Sequence, residues 1–189
     1  TPIIEALAEK MSDEELYLKS GIQKQPFNTL YQLLAHQQDH PEDFEDSQIL
    51  LMPDALTYLL TGNKTCEYTE CSTSQLLDPW KREWNFELIE ELGLPRSIFP
   101  PIAQPCSVAG ELLPELQKEL GCEAIPVFKV GSHDTASAVA AAPASENDGW
   151  AFLSCGTWSL LGVELDKPMV NQASAKANYT NEGGLNGKI

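Results

Sequence analysis

Asp134 is the side chain with the clearest chemical opportunity. It lies in GSHDTASAV (131–139), just past a short apolar run, Ile125 to Val130 (IPVFKV), and just before small Ala-rich sequence. The apolar run, bounded by glycines, reads as a buried strand, and TASAVAAA suits a closely packed helix. The unit is therefore strand, loop, helix. In open α/β sheets ligands gather at the carboxyl ends of strands, and a carboxylate there can accept a proton from a substrate hydroxyl. An Asp just before a helix is equally an ordinary N-cap, and position alone leaves both roles open. Ser132, His133 and Asp134 contain the residue types of a hydrolase triad. Consecutive side chains on extended backbone diverge, however, whereas a triad lines up groups from separate elements, so a triad is rejected.

Gly156 and Thr157 form the second candidate. WAFLS and WSLLGVEL read as two strands joined by a tight glycine turn through CGT. Glycine lets backbone amides approach an anion and a neighbouring hydroxyl adds a donor, so such a turn can grip a phosphate, although most glycine hairpins only turn the chain. Asn181 to Gly184 (NEGG) could be a ligand loop, with a solvent-facing turn as the expectation. Four acids around Phe44 (PEDFED) read as a solvated loop rather than a metal site. Cys66, Cys71, Cys106, Cys122 and Cys155 are an odd set without a C-x-x-C pair, so buried thiols are expected rather than a disulfide framework or zinc knuckle. Polar neighbours allow Cys155 to be reactive, but no cationic side chain adjoins it to lower its pKa.

The elements that must position these groups begin with short, explicitly terminated helices. Ser12 and Glu15 have capping-box spacing and Gly21 suits a C-terminal cap, which predicts a helix over Asp13 to Ser20. Leu30, Leu33 and Leu34 recur at helical spacing after Pro26, with Asn28 or Thr29 as cap. A third helix starts near Pro53, stops at Gly62, and aligns Leu56, Leu59 and Leu60 as a core-facing stripe. NKTCEYTECSTSQLL (63–77) reads as irregular with possible short strand, and Asn85 caps FELIEEL before Gly93 and Pro95. The small, polar segment 144–149 after Pro143 is the best hinge.

Composition bounds the rest. A 189-residue chain with 42% apolar and 21% charged residues should fold. Twenty-eight acids against 12 Lys and Arg give a net charge of -16, whose field opposes nucleic-acid binding. No stretch is long and apolar enough to span a bilayer, and the start, TPIIEALAEKMSDEE, lacks a cationic signal region, so a cytoplasmic location and no membrane partner are expected.

Taken together, GSHDTASAV, SCGTWSLLGVE with Thr157 lying 23 residues past Asp134, and NYTNEGG resemble the rhamnulokinases of the FGGY carbohydrate kinase family. GIQKQPFNTLYQLL, LMPDALTYLLTG and YTECSTSQLLD look like the same family's helical region in the same order. Where the family usually has Lys and Trp, this chain has Leu30, Tyr31 and Gln32, a departure that argues against glycerol or xylulose as substrate.

The resemblance implies an α/β fold that is part of an actin-like, ribonuclease H-like, two-lobed sugar kinase. Residues 1–143 would be the later part of the first, sugar-binding lobe, 144–149 a hinge, and 150–189 the start of the nucleotide-binding lobe. Asp134 would be the catalytic base. His133, Asp134 and Thr135 would contact the sugar, and Gly156 with Thr157 would contact the terminal phosphates of ATP, used with Mg2+. The implied reaction is phosphorylation of a ketose at its C1 hydroxyl, L-rhamnulose giving L-rhamnulose 1-phosphate. The family's Asp-x-Gly-Thr phosphate loop does not occur here, so the chain is expected to be an inactive internal fragment. A fuculokinase-like enzyme, a catalytically dead sugar-binding regulator and an oligomerising assembly module are the alternatives, and the oligomeric state stays open.

Overall fold

The computed structural model describes residues 2–144, 149–156 and 159–189. Helices α1 (Pro2–Lys10), α2 (Asp13–Ser20), α3 (Thr29–Asp39) and α4 (Met52–Thr61) lead into strand β1 (Cys66–Glu67) and helix α5 (Tyr68–Ser72). The hairpin strands β2 (Leu77–Asp78) and β3 (Glu83–Trp84) precede α6 (Phe86–Glu91), β4 (Ile102–Ala103), β5 (Val108–Glu111) and α7 (Pro114–Leu120). Strand β6 (Pro126–Phe128), helix α8 (Asp134–Ala140), strands β7 (Phe152–Cys155) and β8 (Ser159–Gly162), and helix α9 (Gln172–Lys176) complete the order. Strands β1 and β4 pair in parallel, whereas β2–β3, β5–β6 and β7–β8 are antiparallel.

Local chemistry explains the helix ends. Ser12 Oγ accepts from Glu15 N at 3.1 Å, and Gly21 closes α2 with φ 73°, a left-handed conformation that costs a residue with Cβ. Asn85 Oδ1 caps α6 by accepting from Leu88 N at 3.1 Å. Asn28 stands at the start of α3 but does not cap it: its amide donates to Gln23 O and to Gln75 Oε1 instead. Leu30, Leu88, Ile89, Leu76, Trp84 and Phe99 anchor one core shared by α1, α3, α5 and α6. Fully burying such an aliphatic side chain contributes roughly 1.5–3 kcal/mol.

Four expectations need correction. The 63–77 stretch has the irregular backbone and short strand read there, β1, but it also holds the helix α5, because the Glu67 side chain caps the amides of Thr69 and Glu70. On α4 the stripe Leu56, Leu59 and Leu60 is exposed, and the buried residues are Asp54 and Thr61. The same inversion occurs at β6, where Phe128 is 54% and Val130 65% exposed while Lys129 between them is 3% exposed. Lys129, the residue after β6, turns inward to meet Asp54, so the apolar run is not a buried strand. Finally, only Cys66 and Cys71 are buried thiols; Cys106 and Cys155 are exposed. The acids of the PEDFED run are exposed around a buried Phe44, as a solvated turn requires. Among the described residues no helix is long and apolar enough to cross a membrane.

Candidate active site

The strand-loop-helix unit around Asp134 is held from below by a buried carboxylate. Glu67 Oε2 accepts from Ser132 N at 3.1 Å and from Ser132 Oγ at 2.7 Å. The same side chain accepts from Thr69 N, Thr69 Oγ1 and Glu70 N. Five donors converge on its two oxygens, which together take up the acceptor capacity of one carboxylate. Thr69 Oγ1 in turn accepts from His133 N at 3.2 Å. Backbone 132–133 is thus tied to the first turn of α5. Gly131 sits where a Cβ would lie 2.6 Å from Leu185 Cδ1 and 2.9 Å from Ser137 Oγ, so a side chain there would have to push both aside.

Asp134 emerges from this pinned loop as the first residue of α8, exposed. His133, not Asp134, occupies the N-cap position, and no side chain caps that helix. The only hydrogen bond described for the Asp134 side chain comes from Thr135 Oγ1 at a long 3.4 Å. The capping role is therefore excluded for Asp134. Its carboxylate faces outward beside Glu70, whose pKa burial raises and which His133 draws back down.

The NEGG loop is not the solvent-facing turn expected of it. Asn181 N donates to Gly21 O at 2.9 Å, its side-chain amide donates to Tyr17 Oη at 3.1 Å, and its Oδ1 accepts from Met169 N at 2.7 Å. Gly183 N donates to Ser72 Oγ at 2.7 Å, and a Cβ there would lie 2.6 Å from the Tyr68 ring. Between them Glu182 reaches His133, with Oε2 3.6 Å from Nδ1. The segment after β8 thereby returns to α2 and α5, and α9 packs on α2 through Ser174 and Tyr17.

Beneath the loop lies a buried ion pair, Lys129 Nζ to Asp54 Oδ1 at 2.7 Å, with Nζ also donating to Thr65 O. Asp54, Cys66 and Cys71 bring potential metal-ligating atoms within 4.8 Å of one another. Burial pushes the Cys71 thiol well up, and the Lys129 ammonium already neutralises Asp54. This cluster is suited to packing, not to ligating a metal.

Strands β7 and β8 form the expected hairpin, with Cys155 paired to Ser159. Gly156 follows β7, exposed, and among the described residues nothing lies within 4 Å of a Cβ position there. Thr157 and residues 145–148, where a hinge was expected, lie outside the described residues. The structure brings together His133, Asp134 and Thr135 on one unit and adds Glu67, Thr69, Glu70 and Glu182, which sequence reasoning did not single out. Glu182 lay inside the NEGG motif and Thr69 and Glu70 inside YTECSTSQLLD, with Glu67 directly before it.

This geometry has counterparts. The N-terminal domain of the FGGY family of carbohydrate kinases matches residues 1–141. The chain belongs to that family. It is 44% identical over 183 residues to a rhamnulokinase of Oceanobacillus iheyensis and 44% identical over 186 residues to one of Bacteroides thetaiotaomicron. The matches cover 96% and 98% of this FGGY chain and 38% of the length of each relative. The xylulose kinase from Rhodospirillum rubrum shares its fold with TM-score 0.81 and 17% identity, over 99% of this chain and 38% of the other. The mixed α/β architecture is accordingly part of an actin-like, two-lobed sugar-kinase fold.

Proposed function

We propose that this FGGY chain is part of a longer cytoplasmic kinase that transfers the γ-phosphoryl group of ATP to the C1 hydroxyl of a ketose, with L-rhamnulose as substrate. The 38% share of each relative's length supports the view that the chain alone is inactive. In this reading residues 1–143 belong to the sugar-binding lobe, 144–149 to a hinge and 150–189 to the start of the nucleotide-binding lobe. The part after β8 makes the contact back to α2 and α5.

One observation carries the proposal: Asp134 stands exposed at the start of α8, directly after a loop that Glu67 and Thr69 hold through Ser132 and His133. A carboxylate that caps no helix and is exposed at the start of α8 suits a general base. As the sugar O1–phosphorus bond forms and the bond from γ-phosphorus to the ADP oxygen breaks, Asp134 takes the hydroxyl proton. His133 and Thr135 orient the sugar, and Gly156 with Thr157 faces the terminal phosphates. The surrounding carboxylates Glu70, Asp134 and Glu182 would repel a polyphosphate, which fits a need for Mg2+ beside it. When bound, Mg2+ neutralises charge on the phosphates.

Replacing Asp134 by Asn in the longer protein tests this. ATP-dependent L-rhamnulose phosphorylation, followed by ADP release, should lose about 100- to 10,000-fold in kcat, the usual worth of a general base. Unchanged turnover would overturn the assignment and favour a sugar-binding regulator.

A further inference from the structure

We infer that Glu182 is a positioning residue for His133: its carboxylate keeps the imidazole proton on Nδ1, leaving the Nε2 lone pair to accept a hydroxyl hydrogen from the sugar. The sugar contact rests on the function proposed above; the carboxylate–imidazole pairing does not.

His133 Nδ1 is buried and, among the described residues, lacks a hydrogen-bond partner, which a ring nitrogen seldom tolerates. The polar atom brought toward it is Glu182 Oε2 at 3.6 Å. That separation is too long for a hydrogen bond, and a closure of roughly 0.7 Å makes one. Catalytic contacts commonly stand open by such a margin without ligand and tighten when one binds.

Both partners are held in place from their own sides. His133 is tied through its backbone N–H to Thr69, and Glu182 sits between Asn181, anchored on Tyr17 and Gly21, and Gly183, anchored on Ser72. A side chain whose two neighbours are both fixed can orient another precisely because its own freedom is already spent. Burial raises the Glu182 carboxyl above its ordinary value and His133 opposes that rise, the mutual response expected of facing groups. Glu70 on α5 and Asp134 on α8 also act on this spot, so the ring stands among carboxylates. Of these, Glu182 is the one set against Nδ1.

The tautomer decides what the sugar meets. A ring carrying its proton on Nε2 offers a donor outward, whereas a ring held with Nδ1–H offers an acceptor. A hydroxyl that donates to Nε2 is then read by the site, and its absence leaves that acceptor unpaired.

The test reads the ring nitrogens directly. Long-range nitrogen–proton spectra of the chain, recorded where imidazole is neutral, resolve three histidines, with His133 assigned by its loss in His133→Asn. The Nδ1–H form is expected to dominate, to shift toward Nε2–H in Glu182→Ala, and to be partly restored in Glu182→Gln, whose carbonyl can still accept. In the longer kinase, Glu182→Ala should raise KM for the ketose about tenfold while kcat and KM for ATP stay within threefold. A wild-type ring in the Nε2–H form, which needs no variant to observe, overturns the inference. So does a tautomer that ignores Glu182→Ala, or an unchanged ketose KM in that variant. If Asp134→Asn leaves turnover intact while the tautomer follows Glu182, the proposed function falls and the pairing stands.

Discussion

Glu67→Gln isolates the interaction that sets the candidate base in place. In the native protein Glu67 Oε1 accepts from Thr69 N at 2.9 Å, and Oε2 accepts from Glu70 N, Ser132 N, Ser132 Oγ and Thr69 Oγ1. The amide isostere preserves shape but can present only one oxygen. With that oxygen in the Oε2 position, Thr69 N–H faces an NH2 group and is orphaned, at about 1–3 kcal/mol. The four remaining bonds lose their charge assistance, about 1 kcal/mol each. Removing a charge from the interior relieves desolvation by several kcal/mol in the opposite direction. The expected net loss is about 2–4 kcal/mol, a large share of the roughly 5–15 kcal/mol typical of a folded domain. Urea unfolding followed by circular dichroism measures it, with Glu119→Gln on the exposed face of α7 as control. Hydrogen exchange should also accelerate at the Ser132 and His133 amides, because both hang from the Glu67–Thr69 pair. A loss below about 0.5 kcal/mol, the ordinary range for surface changes, would refute the claim that this carboxylate holds the loop.

Two further outcomes follow from the same cluster. Lys129→Met should cost about 3–5 kcal/mol by leaving Asp54 buried without its cation, and adding Asp54→Leu should recover most of that loss in urea unfolding. A double variant no more stable than the single one would show that the pair is not what matters there. Glu70 carries a pH signature: burial raises its pKa above 4.5, so the folded state holds its proton to higher pH than the unfolded chain does. The associated stability is fully present below the unfolded value and disappears as pH rises through the folded one. Glu70→Gln is therefore expected to be more stable than wild type near pH 7, with the advantage vanishing toward about pH 4 in thermal melts. A difference that stays constant over this range would contradict the burial of that carboxyl.

What could be read along the chain was local. Helix α2 ends where Ser12 and Gly21 require, α6 starts at Asn85, and the β7–β8 hairpin falls where two apolar runs flank CGT. Caps and turns depend on backbone conformation and on donors a few residues away, so the order of residues determines them. The strand-loop-helix order around Asp134 was likewise legible, since β6 precedes the loop and α8 begins at that residue.

Partnership across distance was decided only on folding. The side chains of Glu67 and Ser132, of Lys129 and Asp54, and of His133 and Glu182 lie 65, 75 and 49 residues apart, and no local pattern links them. The inward turn of Lys129 and the outward turn of Leu56, Leu59 and Leu60 reverse what hydrophobicity alone suggests. A buried cation is tolerated where a carboxylate and a carbonyl surround it, and whether they do depends on which elements pack together. Residue types set which groups could do chemistry here; burial and converging donors, properties of the packed chain, set which of them are held and which are left free to act.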